Sequence, residues 1–220
     1  MNRIPLDIRV GELHVWIADL DEGGDERAHT RGLESLSVEE RERAARFVNP
    51  RDGERWAQSR ALLRMLLGGY LGAKPAELRF ELGEHGKPRL ASGSELHFNL
   101  SHSGGLGLYA FALDGEVGCD VETTGRDINV LAVAGRAFGQ EVAQRLGCLD
   151  EEQRRREFLR AWVRHEAHLK CLGVGFGGTT KERESECSIV DVEVDEPAAA
   201  AVATKHAPAK VKLQRAQAIF

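Results

Sequence analysis

Apolar and polar positions change period several times along the chain, and each change marks an element. Glu12 to Leu20, ELHVWIADL, alternates as a strand does, and DEGGDERAHTRG after it is a polar, glycine-containing loop. SVEERERAARF predicts a helix with Ser37 as N-cap and Glu40 three residues on, a capping-box pattern. DGERWAQSRALLRMLLGGYLG carries Trp56, Leu62, Leu63, Leu66 and Leu67 at helical spacing and ends in glycine. From Glu95 the period becomes two: ELHFNL and LGLYAFAL read as strands with SHSGG as the loop between them. Asp114-Gly115 then reads as a two-residue turn into EVGCDVE, which predicts a three-stranded meander. Helices follow at Val130 to Phe138 and at Gln153 to Leu172, then two strand-like runs, CSIVDVEV and AAAVAT. The remaining tail has no clear period.

Each half of the chain thus repeats strand, helix, long helix and strands, and both long helices end in Leu-Gly. The pattern points to a duplicated α+β unit.

Composition narrows the classes. A chain of 220 residues with 42% hydrophobic positions can bury a real core, and its net charge of −5 gives no global attraction for polyanions. A nucleic-acid partner is therefore not expected. The four cysteines show no C-x-x-C pair and no dense disulfide pattern, which fits a reducing cytoplasm. No apolar run approaches the roughly 20 residues that span a bilayer, and the N-terminus lacks the apolar core of an export signal.

Chemistry concentrates in two places. In GCDVE the period of two sends Val117, Cys119 and Val121 to one face and Asp120 and Glu122 to the other, with their Cα atoms roughly 6.5 Å apart. In the predicted hairpin Tyr109 stands opposite Asp120 and Gly107 opposite Glu122, so the carboxylates lie beside Ser101, His102 and the two glycines. Carboxylates next to a loop whose amides can approach phosphate suggest Mg²⁺ bridging protein and substrate. Taken alone, the same face reads as a solvated one, and Asp120→Ala would then cost little stability. The second place is WVRHEAHLKC, where Trp162, Glu166 and Lys170 follow at i, i+4 and i+8 beside an apolar stripe. A simple Glu-Lys ion pair explains that spacing equally well. His165, Glu166 and His168 form H-E-x-H, which is not the zinc-protease pattern. The arginines at 154, 155 and 156 read as a solvated face.

Four ordered motifs, GKP at Gly86 to Pro88, FNLSHSGG at Phe98 to Gly105, GCDVE at Gly118 to Glu122 and WVRHEAHLKCLGVG at Trp162 to Gly175, resemble those of the Sfp-type 4′-phosphopantetheinyl transferases. The resemblance extends to GELHVWIADL and ERERAARFVNPRDGERWAQSRALLR and weakens after about Thr180. It implies an α+β pseudo-dimer of two similar halves, 1–112 and 113–220, with coenzyme A in the cleft between them. It also implies transfer of the phosphopantetheine arm to a serine of an apo acyl or peptidyl carrier protein, with release of adenosine 3′,5′-bisphosphate. By the same similarity Asp120, Glu122 and Glu166 would hold Mg²⁺, Lys170 would neutralise the diphosphate, and Lys87, Ser101 and His102 would contact the nucleotide end. Arg43 and Arg55 would meet the 3′-phosphate. Glu166, or a water it orients, would take the serine proton. The chain departs from the family by carrying His165 where a lysine usually precedes the motif glutamate, and whether His165 faces phosphate or solvent is open. The region from Thr180 to Pro197 is short and lacks an expected aromatic residue. Two other readings stand beside the enzyme, expected to be monomeric and cytoplasmic. One is a catalytically silent coenzyme A or nucleotide-binding relative that docks to carrier proteins, which the retained acidic residues and Lys170 disfavour. The other is a Mg²⁺-dependent phosphodiesterase.

Overall fold

The computed structural model describes residues 6–21, 30, 32–91, 93–124, 128–174, 187–195 and 197–216. Most of the predicted DEGGDERAHTRG loop and the residues after Thr180 up to 186 lie outside that set. The first strand, β1 (Glu12–Asp19), is followed by helices α1 (Val38–Ala45) and α2 (Pro50–Leu71) and by the short strands β2 (Phe80–Leu82) and β3 (Pro88–Leu90). Strands β4 (His97–Ser103), β5 (Leu106–Ala112) and β6 (Val117–Thr123) come next. Then follow α3 (Val130–Ala137), α4 (Gln140–Gly147), α5 (Glu151–Leu172), β7 (Ser188–Val192), β8 (Ala198–Thr204) and β9 (Lys210–Arg215).

Local chemistry explains the helix ends. Ser37 caps α1 and exchanges hydrogen bonds with Glu40 in the predicted capping box. The two long helices, α2 and α5, both stop at a glycine in the left-handed region, Gly72 at φ 62° and Gly173 at φ 69°. Arg154 corrects the solvated-face expectation. Its guanidinium donates to Leu146 O at 3.0 Å and Leu149 O at 2.7 Å, tying the end of α4 and the turn after it to the start of α5.

Two sheets with orders β4-β5-β1-β9 and β6-β8-β7 stack face to face, and a helix covers each outer face. Period two sorts the side chains. Leu13, Val15 and Ile17 of β1 and Leu108 and Ala110 of β5 meet Val117, Cys119, Val121 and Val202 between the sheets. On the far side of the first sheet, Trp16, Phe98 and Phe111 pack under Leu62, Leu63, Leu66 and Leu67 of α2. On the far side of the second, Ala199, Ala201 and Ala203 of β8 meet Val163, Ala167 and Cys171 of α5. This is an α+β pseudo-dimer of similar halves, each a sheet under a 22-residue helix.

The meander is corrected. β5 already pairs with β4 on one edge and β1 on the other, so it has no edge left for β6. β6 crosses to the second sheet and pairs antiparallel with β8, placing Ala201 rather than Tyr109 opposite Asp120. Asp114 turns its carboxylate to the Gly11 amide at 3.2 Å instead of closing a hairpin. Ser101, His102 and Ser103 are strand residues of β4, and only Gly104 and Gly105 make the turn. The unassigned tail also has a place, because β9 returns to the first sheet and runs parallel to β1.

Candidate active site

Where β4 leans on the free edge of β6, alternate residues of β4 hydrogen-bond across the seam between the sheets. Asn99 Oδ1 accepts from the Cys119 amide at 3.0 Å, Ser101 Oγ donates to Asp120 Oδ1 at 2.8 Å, and Ser103 Oγ donates to Glu122 Oε2 at 2.7 Å. Asp120 and Glu122 project from the face of β6 opposite the inter-sheet core, as period two predicts. That face is not solvated, because α5 lies over it. Asp120 is only 4% exposed, which overturns the expectation that its removal would be structurally neutral. Gly118, two residues earlier on the same face, makes the approach of α5 possible. A Cβ there would stand 2.7 Å from the Lys170 carbonyl carbon and closer still to Ala167 O and Cys171 N.

α5 supplies the other groups. Lys170 Nζ donates to Asp120 Oδ1 at 2.6 Å and to Ser101 Oγ at 3.2 Å. Burial pulls the Lys170 pKa down, but the Asp120 charge, together with smaller contributions that include the hydrogen bond to Asp120 and the Glu166 charge, outweighs it and the net shift is upward, so the ammonium persists at neutral pH. Glu166 is pushed up, first by burial and then by the charges of Asp120 and Glu122, which places the three carboxylates in one field. Asp120 Oδ2 and Glu166 Oε1 are buried and have no hydrogen-bond partner among the described residues. Buried carboxylate oxygens are rarely left unpaired. These oxygens fit a hard cation, which takes carboxylate ligands, although no group of three or more His, Cys, Asp or Glu residues set for a metal occurs among the described residues.

Ser101 and His102 also border a cleft of about 610 Å³ between α1, α2, the β2–β3 hairpin and β4. Arg43, Arg60, Arg64 and Arg79 line it. Arg43 and Arg60 lie over the Trp56 ring at 5.1 and 5.9 Å from its centroid, and Arg60 and Arg64 share the carboxylate of Glu40. His102 stands at the mouth, where burial and then the Lys170 charge lower its pKa and keep the ring neutral.

The structure thus gathers Asp120, Glu122, Glu166, Lys170 and Ser101 at one seam and Arg43 and His102 along the adjoining cleft. Two predicted residues are engaged elsewhere. Arg55 is held by Asp21 through a 2.8 Å bond from Nε. Lys87 reaches over to the start of β6, where Nζ donates to Glu116 Oε2 at 2.5 Å and Val117 O at 2.9 Å. Sequence reasoning missed Gly118, Ser103, Arg60, Arg64 and Arg79. Ser103 could have been found by extending the period of two through NLSHS, whereas Arg79 carries no local signal. His165 is turned toward α3, with its ring edge-on to Phe138 at 5.4 Å.

An acidic seam beside an arginine-lined cleft has the charge to hold a phosphate-rich ligand and its counter-cation. Models of the N-terminal region of 4′-phosphopantetheinyl transferases and of the 4′-phosphopantetheinyl transferase superfamily match residues 25–112 and 116–217. The chain is similar to the 4′-phosphopantetheinyl transferase HetI of Nostoc sp., with 34% identity over 185 residues, 83% of this chain and 76% of the relative. It is also similar to the putative 4′-phosphopantetheinyl transferase slr0495 of Synechocystis sp., with 36% identity over 65% of this chain and 59% of the relative. The 4′-phosphopantetheinyl transferase Sfp of Bacillus subtilis is 29% identical over 71% of this chain and 68% of its own length. The chain belongs to the 4′-phosphopantetheinyl transferase superfamily.

Proposed function

We propose that this protein transfers the 4′-phosphopantetheine arm of coenzyme A to a serine of an apo acyl or peptidyl carrier protein. One observation carries the reading. Lys170 and Ser101 converge on one oxygen of Asp120 while its second oxygen and Glu166 Oε1 stay buried and unpartnered at the end of an arginine-lined cleft.

Coenzyme A lies in the cleft with its phosphate-rich nucleotide end toward Arg43, Arg60 and Arg79. Trp56 and Phe80 stack under the guanidinium groups of Arg43, Arg60 and Arg64, and His102 and Ser101 lie toward the diphosphate. Arg55 and Lys87 reach the ligand only by exchanging Asp21 and Glu116 for phosphate oxygens. Asp120, Glu122 and Glu166 would hold Mg²⁺, which when bound supplies positive charge to the diphosphate oxygens. Lys170 adds a fixed charge that neutralises the leaving phosphate as the phosphorus–oxygen bond of the diphosphate breaks. The carrier serine oxygen forms the new bond to phosphorus. Its proton passes to Glu166 or to a water that Glu166 orients. Adenosine 3′,5′-bisphosphate is the leaving group and is released from the arginine-lined cleft. No described helix is long and apolar enough to cross a membrane, and we place the protein in the cytoplasm as a monomer without a nucleic-acid partner.

The test follows adenosine 3′,5′-bisphosphate release from coenzyme A with Mg²⁺, with and without apo carrier protein. Release that depends on the carrier is expected. Release without it would instead mark a phosphodiesterase, and no release in either arm would mark a silent binder.

A further inference from the structure

One position beyond Lys170, on the side of α5 that packs on β8, Cys171 meets the cysteine that leads into β7. The sulfurs of Cys171 and Cys187 are 3.3 Å apart, and both are free thiols. Covalent bonding at about 2.05 Å would need only a small approach of the two side chains. The surroundings divide their roles. Cys171 is 2% exposed, its thiol donates to Glu116 O at 3.2 Å, and burial followed by contact with Cys187 pushes its pKa up. Cys187 is half-buried and reachable from solvent. The other two differ: Cys119 is sealed between the sheets beside Asn99, and Cys148 is exposed at the end of α4.

We propose that Cys171 and Cys187 form a thiol–disulfide exchange site that takes a low-molecular-weight disulfide of the glutathione class. The Cys187 thiolate attacks one sulfur of that disulfide, the reagent's sulfur–sulfur bond breaks, and one reagent thiol leaves. Cys171 then attacks the Cys187 sulfur, gives up its proton, and expels the second reagent thiol. Two protein thiols are oxidised by two electrons and one reagent disulfide is reduced to two thiols. The product bridges residues 16 apart in sequence and ties the last turn of α5, which carries Lys170, to the strand that pairs with β8. The closed loop restricts the unfolded chain, so the oxidised form melts at a higher temperature.

The experiment incubates the full chain with oxidised and reduced glutathione at several ratios, alkylates the remaining thiols, and reads intact mass and a tryptic map. The expected oxidised product has lost two hydrogens, takes two alkyl groups instead of four, yields a peptide joined at Cys171 and Cys187, and reverts with dithiothreitol. Cys187→Ser should abolish the bridge and Cys148→Ser should retain it. A melting scan of oxidised and reduced wild type gives a second reading that needs no variant to fold, and a rise of several degrees is expected. A stable glutathione adduct on Cys187, oxidation confined to Cys148, or four alkylated thiols at every ratio would each overturn the proposal. None of these readings depends on transferase activity.

Discussion

Adding one methyl group at Gly118 should separate the two halves of the proposed active site. The new Cβ would lie 2.7 Å from the Lys170 carbonyl carbon, and ordinary contact begins at 3.4 Å. α5 must therefore withdraw by more than about 0.7 Å, because Ala167 O and Cys171 N stand closer still and all three obstacles are helix backbone that cannot rotate aside. The 2.6 Å bond from Lys170 to Asp120 then opens past the range of about 2.7–2.9 Å in which charge-assisted bonds are strong. Overpacking of this kind costs about 1–3 kcal/mol. Misplacement of a catalytic group by about 1 Å can cost on the order of 10²-fold in rate. Gly118→Ala should thus lower the melting temperature by several degrees and kcat by at least about tenfold. Coenzyme A binding should change less, because the arginine-lined cleft belongs to the other half. Thermal melts and steady-state transfer kinetics on the purified variant decide it. A melting temperature within a degree of wild type with kcat within about twofold would refute the close-packing argument.

Glu166→Gln should abolish transfer yet raise the melting temperature of the metal-free protein at neutral pH. The folded-state pKa of Glu166 is raised, so its ionised form is disfavoured on folding; the gain should vanish below about pH 4, where the group is protonated in both states. Melts across pH with chelator present check this, and added Mg²⁺ should stabilise wild type but not the variant. Lys170→Ala should reduce kcat more than coenzyme A affinity, whereas Arg43→Ala should raise KM with kcat nearly intact; kinetics on both variants would show the split, and its reversal would exchange the two roles. His165→Lys should leave the coenzyme A dissociation constant and its pH dependence unchanged between about pH 6 and 9 while losing stability from the Phe138 contact, about 0.5–1.5 kcal/mol; tighter binding at alkaline pH would turn His165 toward phosphate.

What was legible in the sequence was what periodicity and caps determine locally. β1, both long helices and their glycine stops, the Ser37–Glu40 box, and the cluster of Asp120, Glu122, Glu166 and Lys170 all carry such signals. What failed was non-local. Asp114-Gly115 is a genuine local hairpin signal, but the long-range pairing of β1 with β5 removes the edge that the hairpin needs. Period two showed that Asp120 and Glu122 share a face, but not that a helix some fifty residues on covers it; the signal for that cover is Gly118, matched by the small residues of β8. β9 was invisible because its pattern is inverted. Val211 and Leu213 are exposed, while Lys212 donates to Glu12 Oε2 at 2.8 Å. No local pattern reveals that Asp21 and Glu116 hold Arg55 and Lys87.

The most direct measurement is the intact mass of an apo carrier protein after incubation with coenzyme A, Mg²⁺ and this enzyme, using a panel that contains acyl and peptidyl carriers. The account predicts that at least one carrier gains the mass of a single phosphopantetheine group on one serine, and that Asp120→Asn or Lys170→Ala enzyme leaves the carrier largely unmodified. Unchanged mass across the panel, with coenzyme A bound and the enzyme folded, would contradict it.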